Sequence, residues 1–319
     1  MEDVDIEGAV TRSLFRTNSD SEEEEEANVE QSVAAASNNH NDELQSLASK
    51  NVRRKIMHVL LEEQQTGASI AQRLWPAAEH LAQFVLDTVA PSDGAANGSN
   101  STVPVTPSTR SERQQAALES LKKILRCDDN ESSFISMLEL GAGIGLTGIE
   151  LATQLRATVL LTDLDEGLPL LQTNTVLNRE RYQLGPHDTV QVRKLAWGNE
   201  EDCQYALEWH EKGAAQPSDP LLILGSDCVY HAHLHEPLEV TLCRILSSAP
   251  SGSVCLLAGM RRWKRDNTFY QSLGKRTRTQ THELQCTCLK ETVRREGSER
   301  EIMRVYAVQW VQRQRKQKV

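Results

Sequence analysis

The residues best placed to do chemistry lie in the stretch 135–155, ISMLELGAGIGLTGIELATQL. An apolar run ends in Glu139, breaks into Gly141, Gly143 and Gly145, and resumes from Leu146 with apolar positions at helical spacing. Glycine takes positive φ and lets a ligand approach the backbone with no β-carbon in the way. The helix N-terminus that follows such a turn suits an anionic group. Gly143, Gly145 and Gly148 satisfy GxGxxG, and Asp163 lies 20 residues beyond Gly143, where a carboxylate can take both hydroxyls of a ribose. That pattern describes a site for a nucleoside-bearing cofactor, either NAD or S-adenosylmethionine (SAM); a helix cap with no ligand is the alternative. Glu139 favours SAM, because a carboxylate ahead of the glycines repels a pyrophosphate but attracts an ammonium and a sulfonium.

A second chemical stretch is the apolar run LLILGSD, which ends in the tetrapeptide Asp227-Cys228-Val229-Tyr230. His231, His233 and His235 follow at alternate positions. They could face one way and bind zinc, yet no Cys or carboxylate at ligand spacing completes a site, so they read as polar loop residues, and no metal is expected. His231 has a second reading as a base toward the substrate. Two indoles are ambiguous. Trp75 precedes a helix that starts at Pro76, either as a hydrophobic staple or as a ligand contact. Trp197 ends a strand, either packing in the core or bordering an adenine. Asn174 and Asn178 stand at helical spacing as packing or capping amides.

These residues need an α/β sheet to bring them together. Strands are expected at 135–138, 158–163, 189–197, 221–227 and 253–260, with helices between them. Two further strands at 279–289 and 300–310 are joined by a short link around Gly297, which makes them antiparallel neighbours. In a doubly wound sheet ligands lie beyond the carboxyl ends of the strands. Upstream, residues 52–89 read as helical, 115–125 as an amphipathic helix, and 199–219 as a polar insertion.

Charge divides the chain. Residues 1–50 hold 13 acidic residues against 3 basic, which accounts for the whole net charge of −10, and the remainder is balanced. SDSEEEEE at 19–26 sits in a segment of low hydrophobicity that predicts a disordered acidic tail, either solvated or a docking segment. The expected domains are that tail at 1–50, a cofactor-binding domain at 51–312 with a flexible loop at 90–111, and a basic tail at 313–319. No basic domain suggests nucleic-acid binding. No run reaches transmembrane length, and the acidic N-terminus has no apolar core, so no signal peptide or membrane association is expected. Seven cysteines without framework spacing point to a reducing compartment, cytosol or nucleus.

Taken in order, QRLWPAA, ELGAGIG, TD, AWG and SDCVY resemble the motifs of class I SAM-dependent methyltransferases, and within them family 16, the methyltransferase-like 21 group of protein-lysine methyltransferases. The likeness covers about residues 56–310. It implies a Rossmann-like, seven-stranded, doubly wound and mostly parallel sheet with an antiparallel final strand. It also implies SAM as cofactor, and a lysine-bearing protein substrate, a chaperone or another complex. Trp75, Gly141, Ala142, Gly143, Asp163, Trp197 and Ser226 would line the SAM pocket, and Glu139 would open the glycine motif. Asp227 and Tyr230 would match the family's DxxY signature beside the methyl group. The expected activity is methyl transfer to a lysine amine by a monomer; transfer to arginine, histidine or a small amine, and SAM binding without turnover, are the alternatives.

Overall fold

Every residue from Ile135 to Leu140 is buried, as a strand covered on both faces requires. This strand, β3, lies inside a seven-stranded sheet in the computed structural model, which describes residues 51–64, 70–90, 111–125, 134–183, 189–260, 266–296 and 299–313. The acidic tail and nearly all of the loop expected at 90–111 fall outside those residues.

The chain enters through a hairpin, β1 (Asn51–Ile56) and β2 (Val59–Gln64), followed by helices α1 (Pro76–Val89) and α2 (Glu112–Leu125). After β3 come α3 (Leu146–Gln154), β4 (Ala157–Asp163), α4 (Leu168–Leu177), β5 (Val190–Lys194), α5 (Glu200–Gly213) and β6 (Leu221–Ser226). The chain continues through α6 (His235–Ser248), β7 (Val254–Met260), α7 (Asp266–Ser272), β8 (His282–Glu296) and β9 (Glu299–Gln312). The large sheet has the order β5-β4-β3-β6-β7-β9-β8. Five strands run parallel and β9 inserts antiparallel between β7 and β8. The fold is the class I methyltransferase fold.

Alternate residues of each central strand feed opposite cores, the period-2 rule of a pleated strand. Met137, Val159, Leu161, Leu224 and Leu256 pack under α1 to α4, whereas Leu138, Leu160, Ile223 and Leu257 pack under α5 to α7. Such side chains contribute about 1.5–3 kcal/mol each when fully buried, so the two helical layers fix the sheet and with it the strand ends.

Two elements differ from the sequence expectation. The start of the stretch 52–89, read as helical, instead forms the β1–β2 hairpin at 51–64, because tertiary contacts override the pattern. The turn at Met57 and His58 is held by the buried Glu150 of α3, whose Oε2 accepts the His58 backbone N–H at 3.0 Å. The polar stretch from Asn199 on is mostly helix. Asn199 caps α5 by accepting the Asp202 N–H at 2.9 Å, Glu200, Glu201 and Asp202 favour its positive end, and Cys203, Ala206, Leu207 and Trp209 are buried.

Asn174 and Asn178 fix the hairpin to α4. The Asn174 side chain accepts the Glu62 N–H and donates to the carbonyls of Glu62 and Ile144, and Asn178 does the same for Leu60 and donates to Asn174 O. The spacing is matched: four helical residues rise about 6 Å and two strand residues about 6.6–6.8 Å. Each amide therefore meets the next outward-facing peptide group of β2. Asn174→Ala and Asn178→Ala are expected to cost about 1–3 kcal/mol each. Denaturant titration measures that loss, and faster amide exchange confined to Leu60 and Glu62 is the expected local signature.

Candidate active site

The carboxyl ends of β3, β4 and β6, the segment after β5 and the segment before α1 enclose a cavity of about 500 Å³. At its floor the chain leaves β3 through Gly141 and Gly143, both with left-handed φ (61° and 57°). A β-carbon on Gly141 would meet the Trp197 ring at 3.1 Å, and one on Gly143 would meet the Ala71 carbonyl at 3.2 Å. Only glycine allows this turn and lets the indole and the 70–72 backbone close over it.

Asp163 stands at the end of β4, on the cavity wall. Its Oδ2 accepts the Gly143 N–H at 2.7 Å and its Oδ1 accepts the Leu164 N–H at 2.7 Å, which locks the carboxylate and leaves lone pairs for further donors. Burial raises its pKa, and the two backbone N–H groups oppose that rise. Trp75 is the N-cap residue of α1; its indole donates to Ile70 O at 2.9 Å and borders the cavity. Trp197 both packs on the α5 to α7 core and borders the cavity, so core packing and cavity contact hold for one ring.

At the end of β6, Ser226, Asp227 and Tyr230 also line the cavity. Asp227 has φ 56°, an unusual conformation for a residue with a side chain, and its N–H donates to Ala258 O at 2.8 Å, tying the bend to β7. Cys228 lies between them with its thiol donating to Leu140 O at 3.2 Å; burial pushes that thiol well above the ordinary range, so it is a neutral structural group. Burial also raises the Tyr230 phenol, which keeps its proton at neutral pH. His231 joins the lining with its ring centroid 4.8 Å from that of Tyr230, and it stacks on His233.

Thus Trp75, Gly141, Gly143, Asp163, Trp197, Ser226, Asp227 and Tyr230 converge on one cavity, whereas Ala142 and Glu139 do not line it. Ala142 faces inward, with its N–H bonded to Thr162 O. Glu139 is fully buried beneath the turn, where its Oε2 accepts the Gly148 N–H at 2.9 Å and its carboxyl also meets the Thr147 side chain. Sequence reasoning passed over other wall residues, among them Ile70, Ala71, Leu164, Glu166, Leu234 and Pro237, which belong to no motif and leave no periodic signal.

A model of the lysine methyltransferase family matches residues 55–276. The chain is 32% identical over 148 residues to the protein-lysine N-methyltransferase EFM6 of Saccharomyces cerevisiae, covering 44% of this chain and 56% of that protein. It is 34% identical over 140 residues to the protein N-lysine methyltransferase METTL21A of Danio rerio, with the same coverage of each. The chain spans about half the length of these curated relatives.

Burial pushes the Glu139 carboxyl up to about 8, against about 4.5 for an ordinary glutamate. Between those two values the folded chain keeps a proton that the unfolded chain releases, so this group's contribution to stability is full below about 4.5 and falls as pH rises through about 8. Relative to Glu139→Gln, which cannot titrate, the natural protein is expected to lose stability across that window with a slope of at most about 1.4 kcal/mol per pH unit. Paired unfolding curves from pH 5 to about 8.5 measure it; a flat difference would contradict the buried, protonated acid.

Proposed function

The chain belongs to the lysine methyltransferase family, and on that premise we propose that it transfers a methyl group from SAM to the side-chain amine of a lysine in a protein substrate. The observation that carries the reading is the convergence of the Gly141–Gly143 turn, Asp163 and the Asp227–Tyr230 tetrapeptide on one cavity. The residues fit the cofactor. Two glycines hold the backbone bare, a locked carboxylate would take the hydroxyls of a ribose, and an indole on the same cavity would border an adenine. SAM, when bound, supplies an electrophilic methyl on a sulfonium.

The protein's own tasks are alignment, proton removal and exclusion of water. Methyl transfer to an amine moves a positive charge without creating one, so it needs no nucleophilic side chain, and the neutral Cys228 offers none. A lysine with an ordinary pKa near 10.4 is a free amine about once in 2,500 molecules at pH 7. Asp227, fixed by the bend at the end of β6, orients the incoming ammonium. Tyr230, protonated and beside the mouth, walls the channel and directs the lone pair by hydrogen bonding. His231, against Tyr230, is the neighbouring base through which the proton reaches water. Holding amine and donor in line is the main contribution, since good orientation alone lowers a barrier by several kcal/mol, about 7–11 in the best intramolecular cases.

Cysteine usage supports a reducing compartment, cytosol or nucleus, because the six described cysteines are all free thiols.

Incubation with radiolabelled SAM and a lysate from cells lacking the protein, followed by mass spectrometry of labelled bands, tests the reading. Label on lysine is expected. Asp227→Ala is expected to lower turnover about a hundredfold or more while leaving SAM affinity within a few-fold. Label on arginine or histidine would overturn the acceptor, and SAM binding with no labelled product would overturn the activity.

A further inference from the structure

A second cavity, also of about 500 Å³, opens among the segment after α7, strands β8 and β9 and the start of α2. It differs in character from the first. Arg113, Lys275, Arg278 and Arg304 line it against one carboxylate, Glu283. Arg278 Nη2 pairs with Glu283 Oε2 at 2.5 Å and Arg304 Nε with Glu291 Oε2 at 2.7 Å, so these two cations are held in place by neighbours. Arg113 and Lys275 are exposed and have no carboxylate partner among the described residues. The cavity therefore carries uncompensated positive charge in a concave site, where a field is focused.

It also approaches Asp227 of the proposed methyl-transfer site. Tyr270 lines this second cavity, and its ring stacks on that of Tyr306 with centroids 3.9 Å apart. The Tyr270 hydroxyl lies 3.4 Å from the position that a β-carbon on Gly259 would take, and Asp227 Oδ1 lies 4.0 Å from that position. One tyrosine side chain thus stands between the basic cavity and the carboxylate assigned to the acceptor amine.

We propose that this cavity docks a carboxylate-bearing segment of the protein substrate, with an aspartate or glutamate a few residues from the target lysine. This rests on the lysine-transfer reading above. An extended peptide spans about 3.3–3.6 Å per residue, so an acid two to four positions from the lysine reaches about 7–14 Å, enough to clear one tyrosine while the lysine sits at Asp227. The two free cations meet the acid, Glu283 stays neutralised by Arg278, and the Tyr270–Tyr306 stack sets the distance between the two subsites. Selectivity then comes from residues around the lysine as well as from the lysine.

The test is a binding measurement that needs no turnover. A short fluorescein-labelled peptide with a central lysine flanked by glutamates is compared, by anisotropy on the full chain, with the same peptide carrying glutamines and with one carrying phosphoserines. The glutamate peptide is expected to bind about tenfold tighter than the glutamine peptide, and the variant R113E/K275E to abolish that preference with SAM affinity unchanged. Equal binding of the glutamate and glutamine peptides, or a preference that survives in the variant, would overturn the proposal. Tight binding of the phosphoserine peptide alone would overturn it in favour of a phosphate site. Because no methyl transfer is read, such failure is distinct from failure of the lysine reading, which shows as absence of label on lysine.

Discussion

Helix α3 lies so close on the sheet that a β-carbon on Gly148 would come within 2.4 Å of Leu161 Cδ2 and 2.7 Å of Glu139 Oε2. That approach is the constraint on which the site depends. It carries the start of α3 down onto β3 and β4, forces the turn through Gly141 and Gly143, and buries Glu139 against the Gly148 N–H and the Thr147 side chain. The Thr162 hydroxyl donates to Glu139 O and the Ala142 N–H to Thr162 O, so the turn is stitched to β4 at the point where Asp163 begins. A carboxyl that lies outside the cavity thereby positions the groups that line it.

Strand ends supply the reactive groups and the two helical layers keep them in register, so the cavity inherits its precision from the core. Asp227 is the exception, because its left-handed backbone costs of order 1–3 kcal/mol. The hydrogen bond to Ala258 and the burial of Cys228 and Val229 hold that conformation. The result is a carboxylate turned away from the strand axis and into the cavity. Met57, the other described non-glycine residue with left-handed φ, sits in the β1–β2 turn, whereas at Asp227 the strain falls on a residue that lines the cavity.

Much of this was legible in the sequence. Apolar runs, and at 189–197 an alternating stretch, located the five parallel strands, and the short link at Gly297 located the hairpin that closes the sheet. Spacing singled out the glycine turn and Asp163, whereas the roles expected of Asp227 and Tyr230 came from the resemblance to the family's DxxY signature. The β1–β2 hairpin was not, because its strand character comes from partners over 100 residues away, Asn174 and Asn178. Helix α5 was hidden by its charge: its polar face dominates the composition, and the N-cap at Asn199 was the available signal. Glu139 was expected at a ligand because the motif places it beside the glycines; its side chain points instead under the turn, toward Gly148. Motif spacing reports position along the chain and leaves open which face of a strand a residue takes.

The amides of Asn174 and Asn178 have one more consequence. A two-stranded ribbon ordinarily presents an open row of peptide groups that can template another chain. Here a pair of side chains on a helix imitates the missing third strand, bonding Leu60 and Glu62 as a neighbouring backbone would. On that side two amides, instead of charge or proline, close the ribbon, so a foreign strand meets no open edge there.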